Sequence, residues 1–569
     1  MSHQYGDPTL GDGVGPHSPV TLFRPLPLLI SGGLIISALI GVWAAYDREQ
    51  AWMRFSLISI GVALMLGIAW MGWRGRMDIL GIFGLLCALL GAAIGAYFLL
   101  TFDWAGNQGK FAPIQAAGLW LQVHRPAIPV PEDINANVAG SSLAILLPLG
   151  AVGLFWGWSR DKRTVAIIAA LSLLFGFLIL FLTQSRAAWL GLAAGLAVAL
   201  YLAVRPGLEN FPRRRLLLDL VALAGGLLVL VLFWLVASSP TLAESLGSIG
   251  VGVSLTNRAE LWRDGMNLVA DYPFTGSGLG STMMVYSTYG RLLHVGFITH
   301  MHNLFLQITI EQGIPGLLFF LLLLVLAWWS LLSAYRSGEN RCFCVPVAAS
   351  LVALVVQGLV DVGIYASYAL PVLFLPIGFA LALGQPPRVL RRSKNVTLAL
   401  TSVSIIVVAM CVVLIVPSSQ AALQANLGAV AQTQRELSAY SWPEWPIQDA
   451  LRRSPDIDLS AAIARYKAAL DRDPKNATGN RRLGQIELSR GRYEAARWYL
   501  EAAYATSPRQ SVTRHLLGEV YAIDGDLDLA TSFLRSVDIG HGQFQTRVWW
   551  YETVGETEGA QRLREAGGF

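Results

Sequence analysis

The feature that most constrains this chain is a succession of apolar stretches, each about 20 residues long. A bilayer core takes about 20 mostly apolar residues per helix, and backbone polar groups in lipid must be satisfied within the segment. Eleven such runs are read, at 26–45, 54–73, 79–101, 138–158, 164–183, 187–204, 216–237, 313–334, 345–361, 365–384 and 396–417. They predict an all-α polytopic membrane helix bundle of about 11 spans, here bounded as 21–417. Only 14% of the 569 residues are charged, and 54% are hydrophobic, which excludes an ordinary soluble enzyme. The charges are also uneven: the first 417 residues hold 42, and the last 152 hold 37. The tail after 417 therefore has soluble composition.

Lys and Arg in alternate loops set the orientation. One set of loops carries sixteen, among them Arg74, Arg160, Arg214, Arg336 and Arg391; the other carries eight over much more sequence. The first set is expected in the cytoplasm. This places the N-terminus inside and the tail outside the plasma (inner) membrane. The surplus basic charge lies in these short loops, so no nucleic acid partner is expected. Residues 1–20 read as a disordered cytoplasmic leader. Segments 102–137 and 238–312 are the long outer loops, where function usually resides. None of the four cysteines falls in a segment expected outside, so disulfides are not expected.

From about Leu459 the sequence repeats every 34 residues: Leu483 and Gly484 recur as Leu517 and Gly518, Leu500 as Leu534, and Ala462 as Ala496 and Ala530. This is tetratricopeptide spacing and predicts an α-solenoid over 457–569, joined through a connector at 418–456. A docking surface for a protein partner is the favoured role, and a stabilising appendage is the alternative.

Ionisable residues near the membrane are functional candidates. Arg186 lies in Thr183-Gln184-Ser185-Arg186, a tight outer turn, where a snorkelling arginine is the plainer reading. Arg258 and Arg263 flank Trp262 at an amphipathic helix start, and Glu260 could simply pair with Arg263. Gly276-Ser277-Gly278-Leu279-Gly280 is a glycine-rich loop without the Walker lysine, so ATP is not expected. His300 and His302 open an apolar helix; on a helix they would lie about 200° apart and could not share a metal from one face. No metal and no cofactor are expected.

Taken together, Thr183–Arg186, Arg258 with Trp262, Tyr272-Pro273-Phe274 with Gly276-Ser277-Gly278, and His302-Asn303 followed by Gly313 and Gly316 resemble the O-antigen ligase/O-antigen polymerase family. Asn135-Ala136-Asn137, leading into Leu147-Pro148-Leu149, is similar to that family's Asn-rich start of a span. The resemblance covers roughly 130–385. It implies a GT-C-like membrane glycosyltransferase acting at the outer face. Its donor would be a glycan linked through diphosphate to a polyprenyl lipid, and its acceptor a glycan, lipid or protein. Arg186 and Arg258 would stabilise the departing diphosphate, because a guanidinium fork grips phosphate oxygens and stays charged. His302 would accept the acceptor's proton, since imidazole titrates near neutrality. Arg263, Asn303, Asn137 and Gly278 are expected to contact substrate. Transfer is expected to be metal-independent and inverting.

Surface polysaccharide polymerase and protein O-oligosaccharyltransferase differ from ligase mainly in the acceptor. Two further classes are a transporter of small anions, against which nothing in the hydropathy marks a broken helix, and a membrane-anchored scaffold. The enzyme reading requires Arg186, Arg258 and His302 to meet in one outward-opening pocket.

Overall fold

The computed structural model describes residues 25–107, 109–126, 134–221, 225, 252–296, 298–338, 340–384, 415–440, 446–537 and 540–568. Among them every regular element is helical. The membrane half holds α1 (Pro25–Ala44), α2 (Arg48–Trp73), α3 (Met77–Thr101), α4 (Ala112–His124), α5 (Ala136–Ser159), α6 (Arg163–Leu182), α7 (Arg186–Val204), α8 (Gly252–Asp271), α9 (Leu304–Ser337), α10 (Arg341–Gly358) and α11 (Leu375–Leu383). Eight of these, all but α4, α8 and α11, are long and apolar enough to cross a bilayer, which makes the chain a multi-pass membrane protein.

The run expected at 365–384 is a 3-10 turn, Leu370–Phe374, continuing into α11. Together they are shorter than a span. The leader, most of 216–237 and 396–414 lie outside the described residues.

Two kinds of span are distinguishable by what they bury. α6 keeps Ala169, Ser172 and Gly176 inward and exposes Leu171, Leu174 and Phe177, as a lipid-facing helix must. α5 is enclosed, with every residue from Ala139 to Gly150 buried. It packs on α3, α6, α7 and α10. Against α3 the backbones touch: a Cβ on Gly84 would lie 2.4 Å from the Gly153 nitrogen. Close approach of this kind replaces the hydrophobic drive that lipid cannot supply between helices.

α9 is broken. Gly313 sits at φ 70°, ψ 179°, and Pro315 follows. The broken helix was not visible in the hydropathy because both halves are apolar. Its freed groups are satisfied by the glycine-rich loop. Ser277 N–H and Oγ donate to the Ile310 carbonyl at 2.7 and 3.0 Å, and Ile314 N–H donates to the Pro273 carbonyl at 2.8 Å. The break is thus packed against protein. Just before it, Glu311 is buried and accepts from Gln307 and Thr282.

Gly276 of the loop has φ 70°, and a Cβ there would lie 2.3 Å from the Glu311 carbonyl carbon. Gly276→Ala is expected to destabilise the protein by about 2 kcal/mol or more, combining left-handed strain with a backbone clash. Thermal melting of the detergent-solubilised protein measures this; an unchanged midpoint would contradict the packing described.

The tail comprises α12 (Pro417–Leu437), α13 (Gln448–Arg453), α14 (Ser460–Leu470), α15 (Ala477–Ser489), α16 (Tyr493–Thr506), α17 (Ser511–Asp524), α18 (Leu527–Arg535), α19 (His541–Thr553) and α20 (Thr557–Gly567). The 34-residue repeat has a direct contact basis: Gly484 lies against Leu500 and Gly518 against Leu534, so each pair of helices closes the same way. The expected connector differs. α12 packs along α14, with the Tyr466 ring against Gly428 and its hydroxyl on Gln432 Oε1 at 2.7 Å. Most of residues 417–437 therefore extend the solenoid.

Candidate functional site at one end of the bundle

The turn between α6 and α7 is built by its own side chains. Thr183 Oγ1 donates to the Leu180 carbonyl and accepts from Ser185 N–H. Gln184 adopts φ 54°, a conformation uncommon for a side-chain-bearing residue. Gly140 of α5 leaves room for Thr183 and Ser185. Arg186 thereby becomes the first residue of α7. A cation there opposes the helix dipole, an arrangement that helix stability does not favour.

Gln184 also draws in a residue the sequence reading passed over. Its carbonyl accepts from Lys110 Nζ at 3.2 Å, and its Oε1 accepts from Phe111 N–H at 2.8 Å. Lys110 now lies within electrostatic range of Arg186, Arg258 and Asp361. Burial, then Arg186 and Arg258, pull its ammonium below the ordinary lysine range. Burial likewise lowers Arg258, with Arg186 adding to this and Asp361 opposing it. A guanidinium remains cationic under such a shift.

His302 precedes α9, whose cap is Asn303: the Asn303 carboxamide oxygen accepts from Leu306 N–H at 3.0 Å. The helix starts at Leu304, so His300 and His302 are not on it and the angular separation expected of them does not arise. Their rings meet edge to face, 4.3 Å between centroids. His302 holds φ 50°. The preceding residue is anchored by Trp262, whose indole N–H donates to the Met301 carbonyl at 2.9 Å.

Asp361, past the end of α10, is the acid around which these groups gather. It is buried, accepts from Ser141 Oγ at 3.2 Å, and has Oδ1 3.9 Å from His302 Nδ1. Burial alone would raise its carboxyl; interaction with His302, the Val362 N–H and His300 outweigh this and hold it below the usual range. The structure thus brings Arg186, Arg258 and His302 together, and adds Lys110, Asp361 and His300. Among the described residues no group of three His, Cys, Asp or Glu is arranged to hold a metal ion.

The remaining expected residues divide. The Asn137 backbone packs against Gly363, two residues from Asp361, so Asn137 borders the cluster. Asn303 is engaged as a helix cap and through its Nδ2 to the Leu359 carbonyl at 3.1 Å. Arg263 is exposed beside Asp264, on a helix turn beyond Arg258. Gly278, expected as a substrate contact, sits at φ 108° with its Cα pressed on Ala45 just past the end of α1, where a Cβ would lie 2.3 Å from Ala45 Cα. It permits close packing.

Burial, assisted by His302, pushes His300 from 6.5 down to about 4. The unfolded chain therefore takes up this proton below 6.5, while the folded protein resists until about 4. Stability is expected to fall as pH drops from 6.5 to 4 and to be insensitive to this group above 6.5. Asp361, held low, stays ionised in the folded protein through that window and adds to the same slope only at its acid end, where the unfolded carboxyl begins to take up its proton. Melting temperatures across pH 4–8 measure the effect, and His300→Gln should flatten it; an equal slope in that variant would assign it elsewhere.

Residues 171–321 match the family described as O-antigen ligase, and residues 458–511 match a tetratricopeptide repeat. The chain is 29% identical over 243 residues to an O-antigen ligase of Pseudomonas aeruginosa, covering 42% of this chain and 49% of that protein. It is 24% identical over 242 residues to the exopolysaccharide production protein ExoQ of Rhizobium meliloti, covering 36% of this chain and 55% of that protein. The chain thus spans about half the length of the curated relatives it matches.

Proposed function

We propose that this chain, a multi-pass membrane protein whose residues 171–321 match the O-antigen ligase family and whose tail matches a tetratricopeptide repeat, transfers a glycan from a polyprenyl-diphosphate donor to an acceptor at the outer face of the plasma membrane. The observation that carries this reading is the gathering of Lys110, Arg186 and Arg258 with His302 around one buried carboxylate. Three fixed cations suit a diphosphate, whose charge grows as it departs. The activated bond arrives with the donor, so no nucleotide is required.

In the reaction the acceptor oxygen attacks the anomeric carbon, forming the new glycosidic bond. The bond from that carbon to the diphosphate breaks, and the polyprenyl diphosphate leaves with its electron pair. His302 takes the hydroxyl proton through one ring nitrogen while Asp361 faces the other. Direct displacement inverts the anomeric centre. Arginine and lysine supply the charge stabilisation that a metal ion provides elsewhere, so the transfer is metal-independent.

The outward placement follows from the Lys and Arg distribution. The tail lies over the same end of the bundle as the cluster, since Gln434 Nε2 donates to the Trp43 carbonyl at the end of α1. With the N-terminus cytoplasmic, both face outward. Ligase, polymerase and protein O-oligosaccharyltransferase share this chemistry and differ in acceptor. Cells lacking the protein test the reading: lipid-linked precursor should accumulate, and the missing product names the acceptor. Unchanged precursor and finished polymer would remove the proposal.

A further inference from the structure

The sequence expects the solenoid to receive a separate partner, yet the face formed by its alternate helices is filled by this chain's own outer segment. α13 contributes Gln448, which donates to the Leu293 carbonyl at 2.7 Å. α17 contributes Ser511, whose Oγ lies 3.0 Å from Asp264 Oδ1. Leu292 is buried within the solenoid core. Between them α15 presents Thr478, Arg481 and Arg482 to a single carboxylate, Asp271, the last residue of α8.

That contact is unusual on three counts. Asp271 is 1% exposed, and both guanidiniums are equally enclosed. A carboxylate at a helix C-terminus is opposed by the dipole, so it needs compensation from outside the helix. Burial would raise its carboxyl, but Arg481 and Arg482 overcome this and hold it below the ordinary range. Buried ion pairs add little net stability compared with apolar packing, and their best-attested use is to define register. The Arg482 guanidinium also lies over the Tyr289 ring, 3.8 Å from its centroid, which fixes the loop beyond α8 to the same socket.

What register is being defined follows from the helix. Arg258 lies 13 positions before Asp271 on α8, about 20 Å along one rigid rod. The far end of that rod is held by the solenoid, and the near end carries a cation of the cluster. We propose that the solenoid is an intramolecular clamp on α8, and that Asp271 is a positioning residue for Arg258. The inference rests on the glycosyl-transfer reading for what Arg258 does, but the clamp itself does not depend on that reading.

Two measurements on the full chain in membranes test it. With Asp264→Cys and Ser511→Cys introduced together, oxidation or a short bis-maleimide should link the two positions, and the linked protein should transfer glycan within twofold of the reduced or unlinked form. Failure to link overturns the clamp, and so does a linked protein that is inactive but recovers on reduction, because a face that must open for a partner cannot be locked shut. Second, Asp271→Asn should lower kcat/KM by about tenfold or more through misplacement of Arg258. In an Arg258→Lys background the same substitution should cost less than twofold, since residues acting through one another are not additive. Equal losses in both backgrounds would make Asp271 merely structural. Thr478→Val offers a milder loosening should Asp271→Asn fail to accumulate. Full activity of Arg258→Lys by itself would count against the proposed transfer site while the linking result still judged the clamp.

Discussion

His302→Ala is expected to abolish glycan transfer, with a loss of roughly 10²–10⁴-fold, while the protein still inserts and still binds donor. The reasoning is local. The His302 ring faces Asp361 through Nδ1 at 3.9 Å and stands against His300, so its remaining nitrogen is the group free to meet an acceptor hydroxyl. The backbone at φ 50° tolerates few residues well. Asparagine is among those that do, so His302→Asn separates lost chemistry from lost conformation. Vesicles supplied with lipid-linked donor and acceptor read the rate. Normal turnover in both variants would take His302 out of the mechanism.

Arg186→Lys is expected to fall by on the order of 10²-fold despite keeping its charge. A guanidinium makes two parallel hydrogen bonds to phosphate oxygens, and an ammonium acts as a point charge on a flexible stem. The substitution also discriminates against the plainer explanation. Lysine snorkels to the interface as readily as arginine. Wild-type activity in the lysine variant would therefore mean that Arg186 merely anchors α7, and the diphosphate would need another partner. Donor titration separates the contributions: a raised KM with unchanged kcat would assign Arg186 to ground-state binding, and a lowered kcat to the departing diphosphate.

Much of this site was legible in residue types. Arginine in a polar outer turn and histidine ahead of an apolar helix are chemically marked. The Asn303 cap also carried a signal, an asparagine immediately before an apolar run, although it was read as a substrate contact. Lys110 was less legible. It lies 74 residues from Gln184, and only the fold makes that carbonyl its acceptor. Of the glycine-rich loop only Gly278 is expected from the sequence to contact substrate; in the fold the loop's glycines admit Ala45 just past α1, Gln50 of α2 and the break in α9.

Length, hydropathy and the 34-residue period were enough to specify an oily helical bundle with a solenoid behind it. Each of these is a local property, written into stretches of a few dozen residues by the thickness of a bilayer or the closure of one helix pair. Which side chains share a neighbourhood is a different kind of information. Asp361 meets His302 across 59 positions, and Asp271 meets Arg482 across 211. Such pairings depend on how whole helices pack, through shape and the burial of charge, and no periodicity in the chain encodes them. Tertiary structure alone therefore decided that one acid gathers the cations, and that the solenoid grips its own protein.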